Sequence, residues 1–152
     1  MTPKDLLSIV DPALALLNTL AGIKVSNEAR VLVMAIAGQE SDWEARLQGG
    51  GGPARSFWQF EGGGGAVGEL FSVTPKQLKA VCDYLIVPYN VATVFQAMAW
   101  NDTLAACMAR LLLWQDPAAL PAIGDVQAGW NYYQRNWRPG APRPEVWPAK
   151  YA

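Results

Sequence analysis

Histidine is absent from the 152-residue chain. Without an imidazole, the protein cannot use the histidine-activated serine or cysteine nucleophile on which most hydrolases of those classes depend. The usual zinc hydrolase sites are excluded for the same reason, because their ligands include imidazole, and we expect neither a metal nor another cofactor. Cleavage of glycosidic bonds remains open, because carboxyl groups can carry it out without histidine.

Charged residues are also scarce, at 16% of the chain, with a net charge of −1. The sequence has no dense run of lysine and arginine of the kind that binds nucleic acid. No apolar run reaches the length of a transmembrane helix, so we expect no membrane insertion. We also expect no secretory signal, because Lys4, Asp5 and Asp11 interrupt the apolar stretches at the N-terminus.

The remaining composition predicts one mainly helical domain over residues 1–152. Hydrophobic residues make up 51% of the chain, enough for a sizeable core. We predict the apolar stretch from Ala29 to Ala37 as the central buried helix. We expect this helix to end near Glu40 or one turn later. Helix starts are predicted at Thr2-Pro3, Asp11-Pro12, Ser26, the capping box Thr74–Gln77, Asn90, Asp102 and Asp125.

Three other regions carry structural predictions. Two glycine runs, residues 49–52 and 62–65, bracket a short extended or β segment around residues 53–62, and they lack the Gly-Lys-Ser/Thr ending of a phosphate loop. The basic tail, residues 135–152, is proline-rich, and after Trp137 it should run extended over the surface. There it either contacts an anionic wall or is simply solvated. Cys82 and Cys107 are expected to be buried free thiols, with a disulfide left open.

Glu40 is the strongest catalytic candidate. It ends the most apolar helix, so partial desolvation and the negative end of the helix dipole both favour its protonated form. A carboxylic acid of this kind can protonate the leaving oxygen of a glycosidic bond. The alternative is a solvated glutamate at a helix end. Glu61 is the second catalytic candidate, and its alternative is a loop carboxylate paired with Arg55 or Arg46.

A family resemblance rests on three segments. Gln39-Glu40-Ser41 ends the apolar helix, a glycine-rich stretch follows, and Ser56-Phe57-Trp58-Gln59-Phe60 places Gln59 19 residues after Glu40. This arrangement resembles the soluble lytic transglycosylase and goose-type lysozyme group, in which a Glu-Ser pair is followed by Gly-Leu-Met-Gln. Gly129-Trp130-Asn131-Tyr132-Tyr133 is similar to that family's Ala-Tyr-Asn-x-Gly, without the closing glycine. Phage lysozymes are also similar, including the Trp-Gln-Phe-Glu segment.

The resemblance implies a lysozyme-like fold and a role for each matching residue. Glu40 would act as general acid and then general base on the bond after N-acetylmuramic acid. Ser41 and Gln59 would hydrogen-bond around the N-acetyl group and Glu40, and Asn131 or Tyr132 would orient the carboxyl group. Phe57, Trp58 and Trp43 could stack on sugar rings, or else cover the core. The tail aromatics Trp137, Trp147 and Tyr151 could extend the groove, but we favour a role in pinning the tail.

We therefore expect a peptidoglycan-degrading glycosidase of phage origin, either a lytic transglycosylase or a muramidase. Its partners would be the glycan strands of the wall, with other virion proteins or a holin. It would lie in the host cytoplasm before release to the periplasm, or on the virion. Two alternatives remain: a non-catalytic virion structural or cell-wall-binding protein with the same fold, and an unrelated helical interaction domain in which the Glu-Ser and Gln placements coincide by chance.

Overall fold

The computed structural model describes residues 2–44, 46, 52–61, 65–139 and 141–151. These residues are mainly helical, as predicted, and residues 49–51 and 62–64 of the two glycine runs lie outside them. A short 3-10 helix, Pro144–Val146, leads into the last α-helix. The α-helices are α1 Pro3–Ala21, α2 Asn27–Ser41, α3 Ala66–Val73, α4 Pro75–Leu85, α5 Val91–Ala97, α6 Asp102–Trp114, α7 Val126–Trp137 and α8 Trp147–Tyr151.

Helix α6 is the most completely buried element of the core. Every residue from Leu104 to Leu113 is buried, and the helix packs against α1, α2, α3 and α4. Alanines at three of these positions, Ala105, Ala106 and Ala109, leave room for neighbouring helices to approach closely. The prediction that α2 is the central helix is therefore only partly right: α2 is buried from Ala35 to Gln39 but packs beside α6, against α1 and α8.

Several predicted helix starts are confirmed by their capping hydrogen bonds. Thr2 and Asp5 form a capping box at the start of α1. The side chains of Ser26, Asn90 and Asp125 each accept from the backbone N–H three residues later. Each cap satisfies a backbone donor that has no partner within its helix, so short-range sequence signals located these helix ends correctly.

The prediction that Asp11-Pro12 starts a second helix is wrong, because α1 continues through both residues to Ala21. The Asp11 carboxylate accepts two hydrogen bonds from Arg30, at 2.8 and 3.0 Å, instead of capping a helix. A proline inside a helix costs about 3 kcal/mol or more. Burial of the α1 face that carries Leu6, Val10, Ala13, Leu14 and Leu17 opposes that cost.

Two other predicted caps are also corrected. The Thr74 hydroxyl donates to the Leu70 carbonyl at 2.9 Å and makes no capping bond, so the predicted capping box is absent at the start of α4. Asn101, and not Asp102, caps α6 by accepting from Leu104 N. The Asp102 carboxylate is held by Arg46 through two hydrogen bonds of 2.9 Å. In both residues the side-chain oxygen bonds another group, the Leu70 carbonyl or the Arg46 guanidinium, and not the backbone N–H that a helix cap would bind.

The predicted β segment is reduced to one antiparallel bridge between Arg55 and Phe60. The backbone N–H and carbonyl groups of these two residues bond each other at 2.7 and 2.8 Å, and residues 56–59 form a tight turn between them. No strand forms within the described residues. The bridge nevertheless brings the two ends of the 52–61 segment together beside α2.

The C-terminal tail is not extended as predicted, because its last residues form α8. Trp147 and Tyr151 are buried, at 1% and 3% exposure. The Trp147 indole donates to the Val126 carbonyl, and the Tyr151 hydroxyl donates to the Ala122 carbonyl, both at 3.0 Å. This agrees with the interpretation that these aromatics pin the tail.

Two further expectations concern the thiols and the membrane. Cys82 and Cys107 are both buried free thiols, as predicted. Burial raises the pKa of Cys82 to about 11 and that of Cys107 to about 12, so both stay protonated near neutral pH. Among the described residues, no helix combines the length and apolarity that a membrane span requires.

Gly129 provides a test of the docking of α8 on α7. A Cβ built on Gly129 would lie 2.8 Å from two ring atoms of Tyr151, whereas one on Gly68 in α3 would meet nothing within 4 Å. We expect Gly129→Ala to lower the free energy of unfolding by about 1–3 kcal/mol through overpacking. Gly68→Ala, the matched control, should raise it by up to about 1 kcal/mol. Urea denaturation followed by circular dichroism measures both, and equal stability of the two variants would contradict this packing.

Candidate active site

The last turn of α2 places Glu40 against the core. Glu40 follows Val33, Ile36 and Ala37 by seven, four and three residues, so all four share one face of the helix. The other three side chains have no exposed surface, and this face turns inward. The Glu40 side chain is consequently half-buried, although it is the second-to-last residue of the helix.

The partner of Glu40 is Tyr133, in the middle of α7. The Tyr133 hydroxyl donates to Glu40 Oε1 at 2.7 Å. Its ring is stacked on Trp147 of α8, with centroids 5.2 Å apart and planes 12° from parallel. Burial and the neighbouring Glu40 charge raise the pKa of the Tyr133 phenol. Tyr133 therefore remains protonated and acts as a fixed hydrogen-bond donor to the carboxyl group.

Sequence reasoning missed Tyr133 and assigned the orienting role to Asn131 or Tyr132. Asn131 is exposed and accepts from Gln127 at 2.9 Å. The Tyr132 hydroxyl lies 3.1 and 3.0 Å from the carbonyls of Leu113 and Ala118. Successive residues of a helix turn by about 100°, so neighbours of Tyr133 face elsewhere. The available signal was the aromatic face of α7, formed by Trp130, Tyr133 and Trp137.

The pKa of Glu40 is raised above its ordinary value, and the largest cause is desolvation of the carboxyl group. The Tyr133 hydrogen bond and the positive charge of Arg143 act in the opposite direction, and the charge of Glu61 adds to the increase. The direction matches the expectation for Glu40, because burial next to a core favours the neutral acid. Burial thus makes the neutral form of Glu40 more favourable than it is for a solvated glutamate.

Ser41 connects the end of α2 to the 52–61 segment. Its hydroxyl oxygen lies 3.0 Å from the Ala37 carbonyl and 2.8 Å from the Phe57 carbonyl. One hydroxyl has one proton, so it donates to these two oxygens alternately or in a shared bond. Ser41 therefore acts on the protein's own backbone, and the structure gives it a positioning role next to Glu40.

Phe57 and Trp58 have no exposed surface. The Trp58 indole donates to the Val33 carbonyl of α2 at 2.9 Å, and the Trp58 carbonyl accepts from the Trp137 indole at 3.0 Å. The prediction that these two rings stack on sugars does not hold in this structure, because neither offers a face to a ligand. The alternative that they cover the core is confirmed. Their bulk fixes the 52–61 segment against α2.

Trp43 is half-buried and partly committed as well. Its indole donates to the Met34 carbonyl at 2.8 Å, and the Lys150 ammonium lies 4.4 Å from the ring centroid. Two other acidic residues, Asp42 and Glu44, lie next to it and are exposed. Asp42 pairs with Lys150, and Glu44 is a solvent-facing residue just past the helix end. Neither carboxylate shares the enclosed position of Glu40.

Gln59 and Glu61 complete the segment that faces Glu40. The Gln59 amide donates to the Ser56 carbonyl at 2.8 Å, within its own turn. Glu61 is exposed and close enough for its charge to act on Glu40. The alternative pairing of Glu61 with arginine is not supported, because Arg46 binds Asp102 and Arg55 donates to backbone carbonyls of residues 52–54. Glu61 thus stays a candidate second carboxylate.

Several residues around this site have an unusual backbone conformation. Of the six non-glycine residues with positive φ in the described part of the chain, four lie in the two segments next to Glu40, and each such conformation costs on the order of 1–3 kcal/mol. They are Asp42 at 52°, Trp43 at 61°, Ser56 at 69° and Gln59 at 53°. Strain of this kind persists where the surroundings enforce it, and it clusters at functional sites.

The site as described contains one enclosed carboxyl group, one neutral donor, one nearby cation and one exposed carboxylate: Glu40, Tyr133, Arg143 and Glu61. Such a set can give a proton to a leaving oxygen and accept one afterwards. No group of three or more potential metal ligands occurs in the described part of the chain.

The raised pKa of Glu40 predicts how its replacement changes stability with pH. A carboxyl group with a raised folded-state pKa favours folding below its unfolded-state pKa, and this contribution is lost as pH rises through the folded-state value. The glutamine in Glu40→Gln cannot ionise, so the variant lacks this pH dependence. The difference between the melting temperatures, variant minus wild type, should therefore increase from pH 4 to pH 7. The range starts at pH 4 because the ordinary pKa of glutamate is about 4. Glu44→Gln, at an exposed position, is the control. A difference independent of pH would contradict the burial of Glu40.

The chain matches no protein-family model, no curated protein and no solved structure. Its function therefore has to be inferred from the geometry of its own residues, with Glu40 and Tyr133 at the centre.

Proposed function

We propose that this protein is a glycosidase with a lysozyme-like fold that cleaves the glycan strands of bacterial peptidoglycan, with Glu40 as its general acid and base. The observation that carries the proposal is the half-buried Glu40 carboxyl group at the end of a core helix, held by the Tyr133 hydroxyl at 2.7 Å. The sequence resemblance to lytic transglycosylases and goose-type lysozymes supplies the substrate class.

The first chemical step needs the protonated form of Glu40. The acid gives its proton to the oxygen of the bond that follows N-acetylmuramic acid, and that bond breaks as positive charge develops on the sugar. Burial favours the neutral acid before this step. After it, the Tyr133 hydroxyl remains a donor to the newly formed carboxylate, which stabilises the charged state of Glu40.

The second step returns a proton to Glu40 and fixes the product. In a transglycosylase, the carboxylate takes the proton of the C6 hydroxyl of the same muramic acid, whose oxygen closes a 1,6-anhydro ring. In a hydrolase, it or a second carboxylate takes a proton from water. A single enclosed carboxyl group supports the transglycosylase. The exposed Glu61 would serve the hydrolase if its carboxyl group lay at one of the separations, about 5 Å or roughly 6.5–9.5 Å, that hydrolases use.

A second candidate function is supported by the engagement of the other predicted site residues. Ser41 and Gln59 bond backbone carbonyls, and Phe57 and Trp58 are in the core. A non-catalytic virion structural or cell-wall-binding protein could keep these residues for folding alone. For either function we propose a phage origin on the sequence resemblance, with delivery to the wall by lysis or on the virion.

The decisive experiment is digestion of purified peptidoglycan by wild type, Glu40→Gln and Glu44→Gln, with released muropeptides identified by mass spectrometry. We expect 1,6-anhydromuramic ends from the wild type and from Glu44→Gln, which changes an exposed carboxylate four residues away in the sequence. Glu40→Gln should lose at least about 100-fold in rate, as removal of a general acid–base does.

Two other outcomes distinguish the alternatives. Products heavier by one water would identify a hydrolase. Glu61→Gln should then be as inactive as Glu40→Gln if Glu61 takes the proton from water, and active if Glu40 does. No product from the wild type on walls of several compositions, together with cosedimentation of the protein with those walls, would reject the enzyme and favour the binding protein.

A further inference from the structure

Arg143 differs from the other cations of the C-terminal tail. Among the described residues, Arg143 forms no ion pair with a carboxylate, although the tail folds over a site that contains two of them. The other three cations each hold a carboxylate at 2.6 or 2.7 Å: Arg135 with Asp116, Arg138 with Glu69, and Lys150 with Asp42. Those pairs neutralise three of the four cations of the basic tail, and Arg143 is the fourth.

Arg143 is attached to the last turn of α2 by two reciprocal hydrogen bonds. Its guanidinium donates to the Gln39 carbonyl at 2.9 Å, and the Gln39 side-chain amide donates to the Arg143 carbonyl, also at 2.9 Å. The Gln39 carbonyl is among the last four of its helix, which lack backbone donors within the helix. Gln39 is 3% exposed, so the pair is anchored to a rigid residue.

This attachment fixes a positive charge at Gln39, the residue that precedes Glu40. The charge acts on both Glu40 and Tyr133. Arg143 lowers the pKa of Glu40 and that of Tyr133. The other charged or titratable groups that face Glu40 are Tyr133 from α7 and Glu61 from the 52–61 segment. Of these groups, Arg143 alone is a cation.

We propose that Arg143 is a positioning residue that uses its fixed charge to let buried Glu40 alternate between acid and carboxylate. The two steps of the proposed reaction require both forms, because Glu40 gives a proton away and then takes one back. Burial by itself favours only the neutral acid. The kinetic part of this inference rests on the proposed function, whereas the electrostatic part concerns Glu40 and Arg143 whatever the protein does.

The test compares Arg143→Gln and Arg143→Lys, with Arg138→Gln as the control from the same tail. Carbon-13 NMR of protein labelled at glutamate side chains follows the titration of Glu40, whose signal is assigned by its loss in Glu40→Gln. We expect Arg143→Gln to move the Glu40 midpoint to higher pH. Arg143→Lys, which keeps the charge and a donor, should stay near the wild type, and Arg138→Gln should not move it.

The same variants are then assayed on peptidoglycan across pH. The alkaline limb of the rate, which reports the loss of the Glu40 proton, should move to higher pH in Arg143→Gln, and kcat should fall severalfold with KM nearly unchanged. Arg143→Lys should restore both. Thermal melts show whether each variant is folded. If Arg143→Gln is unfolded, the test is repeated with Arg143→Met, which keeps an apolar stem without the charge.

An unchanged Glu40 midpoint in Arg143→Gln would overturn the inference. Equal midpoint shifts in Arg143→Gln and Arg143→Lys would also overturn it, because they would show that bond geometry, and not charge, acts on Glu40. The NMR titration needs no enzymatic activity. If the wild type is inactive but the midpoint shifts as expected, the proposed function fails while the electrostatic coupling between Arg143 and Glu40 stands.

Discussion

The hydrogen bond from Tyr133 to Glu40 joins the three helices that form the candidate site. Glu40 ends α2, Tyr133 lies in α7, and the ring that supports Tyr133, Trp147, belongs to α8. Tyr151 is stacked in turn on Trp147, with centroids 5.4 Å apart. A partly buried carboxyl group is costly unless it is hydrogen-bonded. The aromatic column holds the donor in place, so the position of Glu40 depends on correct docking of the chain's last helix.

The 52–61 segment shows how residues with a catalytic resemblance can also carry the fold. Ser41 binds the Phe57 carbonyl. Trp58 is buried in the core, and its indole donates to the Val33 carbonyl of α2. Positive φ at Ser56 and Gln59 gives the turn between them its shape, at a cost that the buried aromatics help to offset. Stability and the placement of the site are therefore coupled, because the same contacts serve both.

The charges of the tail are arranged by the same packing. Three of its cations meet carboxylates from other parts of the chain, and each pair joins one exposed side chain to a more buried one. Arg143 instead bonds the end of α2, where a cation is also favoured by the helix dipole. The sequence left open whether the tail's net positive charge contacts an anionic wall or is simply solvated, and in the structure most of that charge is paired with carboxylates of the same chain.

Local sequence is enough to predict the mainly helical class, the caps at Thr2, Ser26, Asn90 and Asp125, and the half-buried position of Glu40, because each depends on residues within a turn or two of one another. Tertiary contacts were needed to establish that α1 runs through Pro12, that Phe57 and Trp58 belong to the core, and that the tail ends in a helix. They were also needed to establish that Tyr133, and not its neighbours, contacts Glu40. These outcomes depend on contacts between residues far apart in the chain, and there the free energy of packing exceeds local preference.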